Sequence, residues 1–335
     1  MDIASLNPSL TGFVHSVAAA FDLAGVVGIL ELSGSANRLW QFTTRKGVFV
    51  VKELPYNNRN HDAELCQAAA FEATVIGAGL VPGPPPVPNQ SGGYLSVLTG
   101  SRGEECPVRL HPWFRGAPPR VDDPAILRQA GHTLRTIQLA GASWSVQPKG
   151  SLQLWTTDPA SVLEHFFASG HFEDASHLAL RSTVAAALEL VRAGESIPGD
   201  WVYTHRDHKP ENCLVQDGMV AVLDWDECAY CHPRLKAVES ALRWAGIDNP
   251  NPEHFVAFLA GYNGPDATLD TLREEDFAKW VAELLSWFCF QARRAFGEWP
   301  AVTVAERSVA ADIARDALVT LQSSLTMLAQ WTRWL

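Results

Sequence analysis

Positive charge is scarce in this sequence. The 26 Lys and Arg residues stand against 37 Asp and Glu, for a net charge of −11. Nucleic-acid binding needs a basic stripe against the phosphates, so no nucleic-acid partner is expected. Long apolar runs are also missing. None approaches the ~20 residues needed to span a bilayer, and Asp22 interrupts the best candidate, so no membrane partner is expected. The opening MDIASLNPSL lacks the basic start of a secretion signal, which places the chain in the cytoplasm by expectation. Cysteines number six and show no disulfide-framework spacing. Cys228 and Cys231 form a C-x-x-C pair followed by His232. A zinc site needs a second ligand pair, and none has the spacing, so ordinary reduced thiols are expected. Internal repeats and long disordered segments are lacking too.

What is present suits a globular protein. The 335 residues are 47% hydrophobic and 19% charged, enough for two domains or one bilobal unit. A short helix at 11–22 precedes strands at 26–32, 37–45 and 47–54, which are β-branched and partly alternating. A helix over 62–78 ends at Gly79 with Pro82 beyond it. Two further strands, 92–98 and 106–114, complete a small sheet carrying one helix. Gly116-Ala117-Pro118-Pro119 marks a boundary. Helical periodicity then dominates over 124–140, 158–169, 174–193, 233–245, 252–263, 270–296 and 303–334. The exception is a β patch at 201–223, folded about the hairpin dipeptide Asp217-Gly218. Most of the twelve tryptophans fall in the second half and predict an aromatic core there. The expected fold class is α+β, with a small sheet-bearing first lobe (1–115) and a larger, mainly helical second lobe (116–335).

One stretch carries chemistry: His205-Arg206-Asp207-His208-Lys209-Pro210-Glu211-Asn212, then a hairpin, then Leu223-Asp224-Trp225-Asp226. The hairpin returns the chain so that Asp224 arrives beside Asn212. Two oxygen ligands, Asn212 and Asp224, suit Mg²⁺ on nucleotide phosphates. Asp207 is then left to accept a proton from a substrate hydroxyl, and Lys209 to reach the γ-phosphate. A base for the nucleophile plus metal for the transferring group is the equipment of phosphoryl transfer.

On these residues the chain resembles the aminoglycoside phosphotransferase family, the antibiotic and choline kinase-like branch of the protein-kinase-like superfamily. HRDHKPEN is close to the protein-kinase catalytic loop. Asp224 is followed by Trp-Asp-Glu rather than Phe-Gly, no activation segment follows, and Ser33-Gly34-Ser35-Ala36-Asn37 stands where a glycine-rich phosphate loop would be. All three turn the resemblance from protein kinases toward the small-molecule kinases. It implies a bilobal protein-kinase-like fold. It also implies ATP or GTP with Mg²⁺, and an acceptor pocket built from helices around 150–195 and 250–300.

A kinase needs a strand lysine paired with a helix carboxylate to place the α- and β-phosphates. Lys52, on the apolar strand VFVVKEL, is the candidate. Glu72 falls in the stripe of Leu65, Ala68, Ala69, Val75 and Ile76, so it is the expected partner, ahead of Glu64. By resemblance, Ser33 and Ser35 lie on the phosphate loop. Pro112, Trp113 and Phe114 form the linker that takes the base through the Pro112 carbonyl and the Phe114 N–H, with His111 behind it. His205 is read as a structural residue of the loop rather than a base. Asp226, Glu227, Asp266, Asp270 and Glu274 are candidate acidic contacts to an amine-bearing acceptor, or solvated surface.

Arg206 replaces the family glycine, and Pro233-Arg234-Leu235-Lys236 stands where an aspartate–leucine–alanine signature is usual. The expected reaction is transfer of a γ-phosphate to a small-molecule hydroxyl. Inactivation of an antibiotic (aminoglycoside, nucleoside or peptide) comes first among the acceptors, and metabolism of an amino alcohol, sugar or nucleoside second. A non-catalytic pseudokinase is the rival from another class.

Overall fold

The computed structural model describes residues 7–32, 37–54, 62–144, 151–153, 155, 157–170, 174–264, 269–298 and 303–335. Ser33, Ser35 and Asp266 lie outside the described residues. In chain order the elements are α1 (Pro8–Ala20), β1 (Val26–Leu32), β2 (Arg38–Thr44), β3 (Gly47–Glu53), α2 (Asp62–Gly77), β4 (Ser96–Thr99) and β5 (Glu105–Pro112), followed by α3 (Pro124–Ala142), α4 (Pro159–Ala168) and α5 (Asp174–Glu195). Then come β6 (Val202–Thr204), β7 (Cys213–Gln216), β8 (Met219–Val222), β9 (Ala229–Cys231), α6 (Pro233–Ala245), α7 (Pro252–Asn263), α8 (Ala278–Phe296) and α9 (Val304–Trp331).

Contacts divide the chain into two compact units. One joins residues 1–119 to 205–228; the other joins 120–204 to 229–335. The first thus includes a stretch that the two-lobe reading placed after residue 116. Two observations explain the grouping. Ala117 bridges Val215 in both directions, with N···O distances of 3.0 and 2.7 Å, and Lys52 forms ion pairs with Asp224 and Asp226.

In the first unit the five strands form one antiparallel sheet in the order β1-β2-β3-β5-β4. Side chains alternate across a strand, and that alternation sorts the sheet's two faces. Val51, Val108 and Leu110 pack with Phe13, Val14 and Val17 of α1 in one apolar core. Lys52, Arg109 and His111 occupy the intervening positions and therefore share the opposite face. Lys52 and Arg109 stand directly opposite each other in the register. Glu72 meets Arg109 and His111 there, from α2.

The second unit is mainly helical, with α8 packed along α9 and α3 along α7. Four helices, α1, α3, α4 and α7, begin with an Asn or Asp cap followed by proline. The side chain satisfies an exposed N–H, and proline suits the first helical position. Trp225, Trp244 and Trp280 are fully buried, in line with the composition.

The elements depart from the sequence expectation most in three places. The strand expected at 92–98 starts at Ser96, because Asn89 closes a turn with Gly93 (2.6 Å). The helix expected over 270–296 begins at Ala278. A 3₁₀ turn over Glu274–Phe277 precedes it, where the Arg273 N–H donates to Asp276 (2.7 Å). The three-residue strand β9, unread in the sequence, pairs antiparallel with β6 and carries Cys231. None of the six cysteines forms a disulfide, and Cys228 and Cys231 are both buried.

Candidate active site

The catalytic-loop candidates are fixed by a short hairpin. β7 and β8 pair from Cys213↔Val222 to Gln216↔Met219. Asp217 and Gly218 both have positive φ (52° and 76°), the demand of a type I′ turn that the Asp-Gly dipeptide meets. The Leu223 N–H donates to the Asn212 carbonyl at 2.8 Å, so Asp224 follows directly beyond Asn212's partner. Asp224 itself is left-handed, with φ 60° and ψ 57°. That conformation is uncommon off glycine and is enriched for Asp and Asn. Buried His205 contacts the Leu223 carbonyl through Nε2 (2.9 Å), which ties the start of the loop to the end of β8.

Within the loop, Asn212 Nδ2 donates to the Asp207 carbonyl (2.9 Å) and to Asp207 Oδ2 (2.8 Å). Lys209 Nζ lies 2.7 Å from the same Oδ2. With its amide nitrogen committed to the loop, Asn212 keeps its amide oxygen for a ligand. The Asp224 side chain is 38% exposed. Two hard oxygen donors fit a divalent cation whose remaining ligands are phosphate oxygens and water. Among the described residues, no group of three His, Cys, Asp or Glu could hold a metal alone.

The charged face of the sheet continues from this point. Lys52 pairs with Asp224 and with Asp226. Asp226 also accepts from Arg109, and Arg109 donates its other terminal nitrogen to Glu72. Glu72 Oε1 meets His111 Nε2 at 3.0 Å. The expected direct pairing of Lys52 with Glu72 is therefore corrected. Arg109 stands between them because it is the register neighbour of Lys52, and its rigid fork reaches two carboxylates.

Burial would lower the Lys52 ammonium, yet Asp226 and Asp224 together hold it above the usual lysine value. Burial would raise the Asp226 carboxyl, and Lys52 and Arg109 hold it well below the ordinary range. Glu72 is likewise depressed, Arg109 and His111 outweighing its desolvation. Asp226 is thus an internal counter-ion of the sheet face, not an exposed contact for an acceptor. Glu227 pairs with Arg206, while Asp270 and Glu274, in the other unit, are exposed.

The sequence reading missed Arg109. The signal was there in Cys106-Pro107-Val108-Arg109-Leu110-His111: period two puts Arg109 and His111 on the face opposite Val108 and Leu110.

The linker after β5 also alternates. The Trp113 N–H donates to the Val48 carbonyl (2.8 Å), and the Leu110 carbonyl accepts from Val87 (2.8 Å). By strand alternation the Pro112 carbonyl turns to the same side as the Leu110 carbonyl, away from β3, where it can accept from one edge of a planar base.

A model of the APH phosphotransferase enzyme family matches residues 29–274. No curated protein matches the chain significantly. Solved structures share the fold. A spectinomycin phosphotransferase in complex with ADP and spectinomycin is 13% identical with a TM-score of 0.66, over 92% of this chain and 96% of that one. An amicoumacin kinase in complex with AMP-PNP and Ca²⁺ is 11% identical with a TM-score of 0.63, over 94% of each chain. A choline/ethanolamine kinase family protein from Mesorhizobium loti is 16% identical with a TM-score of 0.56, over 92% and 97%. The α+β fold is that of the protein-kinase-like superfamily, and with most of its length matched, this chain belongs to the APH phosphotransferase family, enzymes that transfer a phosphoryl group to an alcohol acceptor.

Proposed function

We propose that the protein moves the γ-phosphate of ATP or GTP to a hydroxyl of a small molecule, with Mg²⁺ as the metal, and that the acceptor is an antibiotic. One observation supports the reaction above all: Asn212 is tied by its amide nitrogen to Asp207 and by its backbone to Leu223, which puts base and ligand candidates in one rigid knot. In this reading Asp207 orients the acceptor hydroxyl and takes its proton as the oxygen attacks the γ-phosphorus in line. The bond from that phosphorus to the bridging oxygen breaks, and the nucleoside diphosphate leaves.

Lys209, beside Asp207, meets the transferring group, and Lys52 holds the inner phosphates. Asn212 and Asp224 hold the divalent ion, which neutralises phosphate charge when bound. Pro112, Trp113 and Phe114 take the base. Residues 1–115 serve as the nucleotide lobe and 116–335 as the catalytic and acceptor lobe. Most of the acceleration comes from positioning and preorganised charge.

The net charge of −11 favours a cationic acceptor such as an aminoglycoside. The test is nucleotide consumption with a panel of antibiotics, amino alcohols, sugars and nucleosides. Turnover with an antibiotic and none with the metabolites supports the assignment; the reverse pattern replaces it with a metabolic kinase. Binding is checked apart from turnover. Nucleotide with Mg²⁺ at ~100 times its dissociation constant should add roughly 2.7 kcal/mol of stability. Asp224→Ala should remove the metal-dependent part. No thermal shift with either nucleotide would overturn the kinase reading; a shift without turnover on any acceptor would leave the nucleotide-binding pseudokinase.

A further inference from the structure

Six side chains form one chain of charge across the sheet face. His111 and Arg109 meet the two oxygens of Glu72. Arg109 meets one oxygen of Asp226, Lys52 meets the other, and Lys52 also meets Asp224. Arg109 is 1% exposed and cannot itself face bulk solvent. Its Nη1 and Nη2 go to different carboxylates, one on α2 and one on the turn after β8. A guanidinium has a fixed spread between its donors, so it sets the separation of those carboxylates. Lys52 needs such a setting. Asp224 is the more exposed of its two partners, at 38% against 7% for Asp226. A metal ion would compete for Asp224, leaving Asp226 as the anchor of the ammonium.

We propose that Arg109 is a positioning residue for phosphate binding. It locks Asp226 to Glu72, and so holds Lys52 at the phosphates once Asp224 engages the metal. The link between strand lysine and helix glutamate is then indirect, running through Arg109 and Asp226. This rests on the phosphotransferase reading above. Two consequences separate positioning from simple structural support. First, the part of nucleotide affinity that comes from the phosphates falls while the nucleoside part stays, because the linker at Pro112–Phe114 is not in the charge chain. Second, Glu72 acts on Lys52 only through Arg109, so for phosphate binding losing both is no worse than losing Arg109.

The test compares wild type with Arg109→Lys, Arg109→Met, Glu72→Met and the double variant Arg109→Met/Glu72→Met. The double variant avoids leaving Glu72 charged beside a missing arginine, and circular dichroism and thermal unfolding establish that each variant is folded. Calorimetry with Mg²⁺ then measures adenosine and AMP-PNP, with guanosine and GMP-PNP run in parallel. Arg109→Lys and Arg109→Met are expected to weaken the triphosphate analogue by about tenfold or more, the scale of a misaligned charge-assisted hydrogen bond. Nucleoside affinity should hold, and the double variant should match Arg109→Met. Wild-type discrimination in Arg109→Met or Arg109→Lys overturns the proposal. So does a parallel fall in nucleoside and triphosphate affinity, or additive losses in the double variant. Failure of wild type itself to bind either analogue removes the phosphotransferase reading instead.

Discussion

Lys52 and Asp224 lie 172 residues apart in the chain and meet in one ion pair on the charged face of the sheet. The lysine sits near the end of a hydrophobic strand, and the aspartate sits at a left-handed turn just past a four-residue strand. Their meeting joins the candidate phosphate-binding lysine to a candidate metal ligand. Lys52→Met should cut kcat/KM by about 10²–10³, the usual size for removing one preorganised charge donor. The fold should persist, because Asp226 keeps Arg109. Steady-state kinetics beside a thermal melt checks both halves, and near-normal kcat/KM would take Lys52 out of the site.

Asp207 makes a different prediction. Asp207→Asn keeps the side chain's size but removes the charge that orients a hydroxyl. Turnover should fall by about 10²–10⁴-fold, the range for a lost general base. Nucleotide affinity by calorimetry should change little. Loss of nucleotide binding would reassign Asp207 to the metal or to the loop's architecture.

Glu72 and Glu64 separate the two faces of α2. Glu72 is buried against Arg109, and Glu64 is exposed. Glu72→Ala leaves a buried arginine short of a partner, which costs about 3–5 kcal/mol in comparable cases. Glu64→Ala should stay within about 0.5 kcal/mol, as surface changes usually do. Urea unfolding gives both numbers, and a larger loss at Glu64 would reverse the assignment of faces.

The same carboxylate sets an acid limit. Desolvation opposes the charged form of Glu72, but Arg109 and His111 outweigh it and depress the carboxyl. A group whose folded value is depressed stabilises the fold above its unfolded value, near pH 4.3 for glutamate. That stability is lost as pH falls below this value and through the folded one. Unfolding free energy measured downward from pH 7 should therefore decline less steeply below about pH 4.3 in Glu72→Gln than in wild type. Equal slopes would show that Glu72 contributes nothing to acid unfolding.

The thiols give a test of burial independent of activity. Cys66 is exposed, and the other five are buried. Burial pushes the Cys106 and Cys289 thiols up to about 12 and raises Cys213 as well. At pH 8 a thiol reagent should label Cys66 rapidly and the others only on unfolding. Cys66→Ser should remove the fast phase. Rapid labelling of Cys228 or Cys231 would mean that the segment around β9 opens in solution.

Much of this protein was legible in one dimension. Period-two strands, the helix stop at Gly79 with Pro82 beyond it, and the Asp217-Gly218 turn are local preferences, and local preferences survive without knowledge of the partner. The same is true of the His205–Asn212 loop and of Asp224, because a short hairpin fixes where the chain returns. Partner choice among charged groups was not legible. Glu72 was read as facing inward, and it does, but the residue it meets is Arg109 rather than Lys52. Whether Asp226 would face an acceptor or the interior was equally undetermined by its neighbours in sequence. A buried charge takes the partner that reaches it with the right geometry, and reach depends on register between β3 and β5, on the rotation of α2 and on the turn after β8. Those relations exist only in the folded chain. The sequence by itself determined which charged residues the protein has and, inside regular strands and helices, which face each occupies; the tertiary structure decided where the turn residues point and which charges touch.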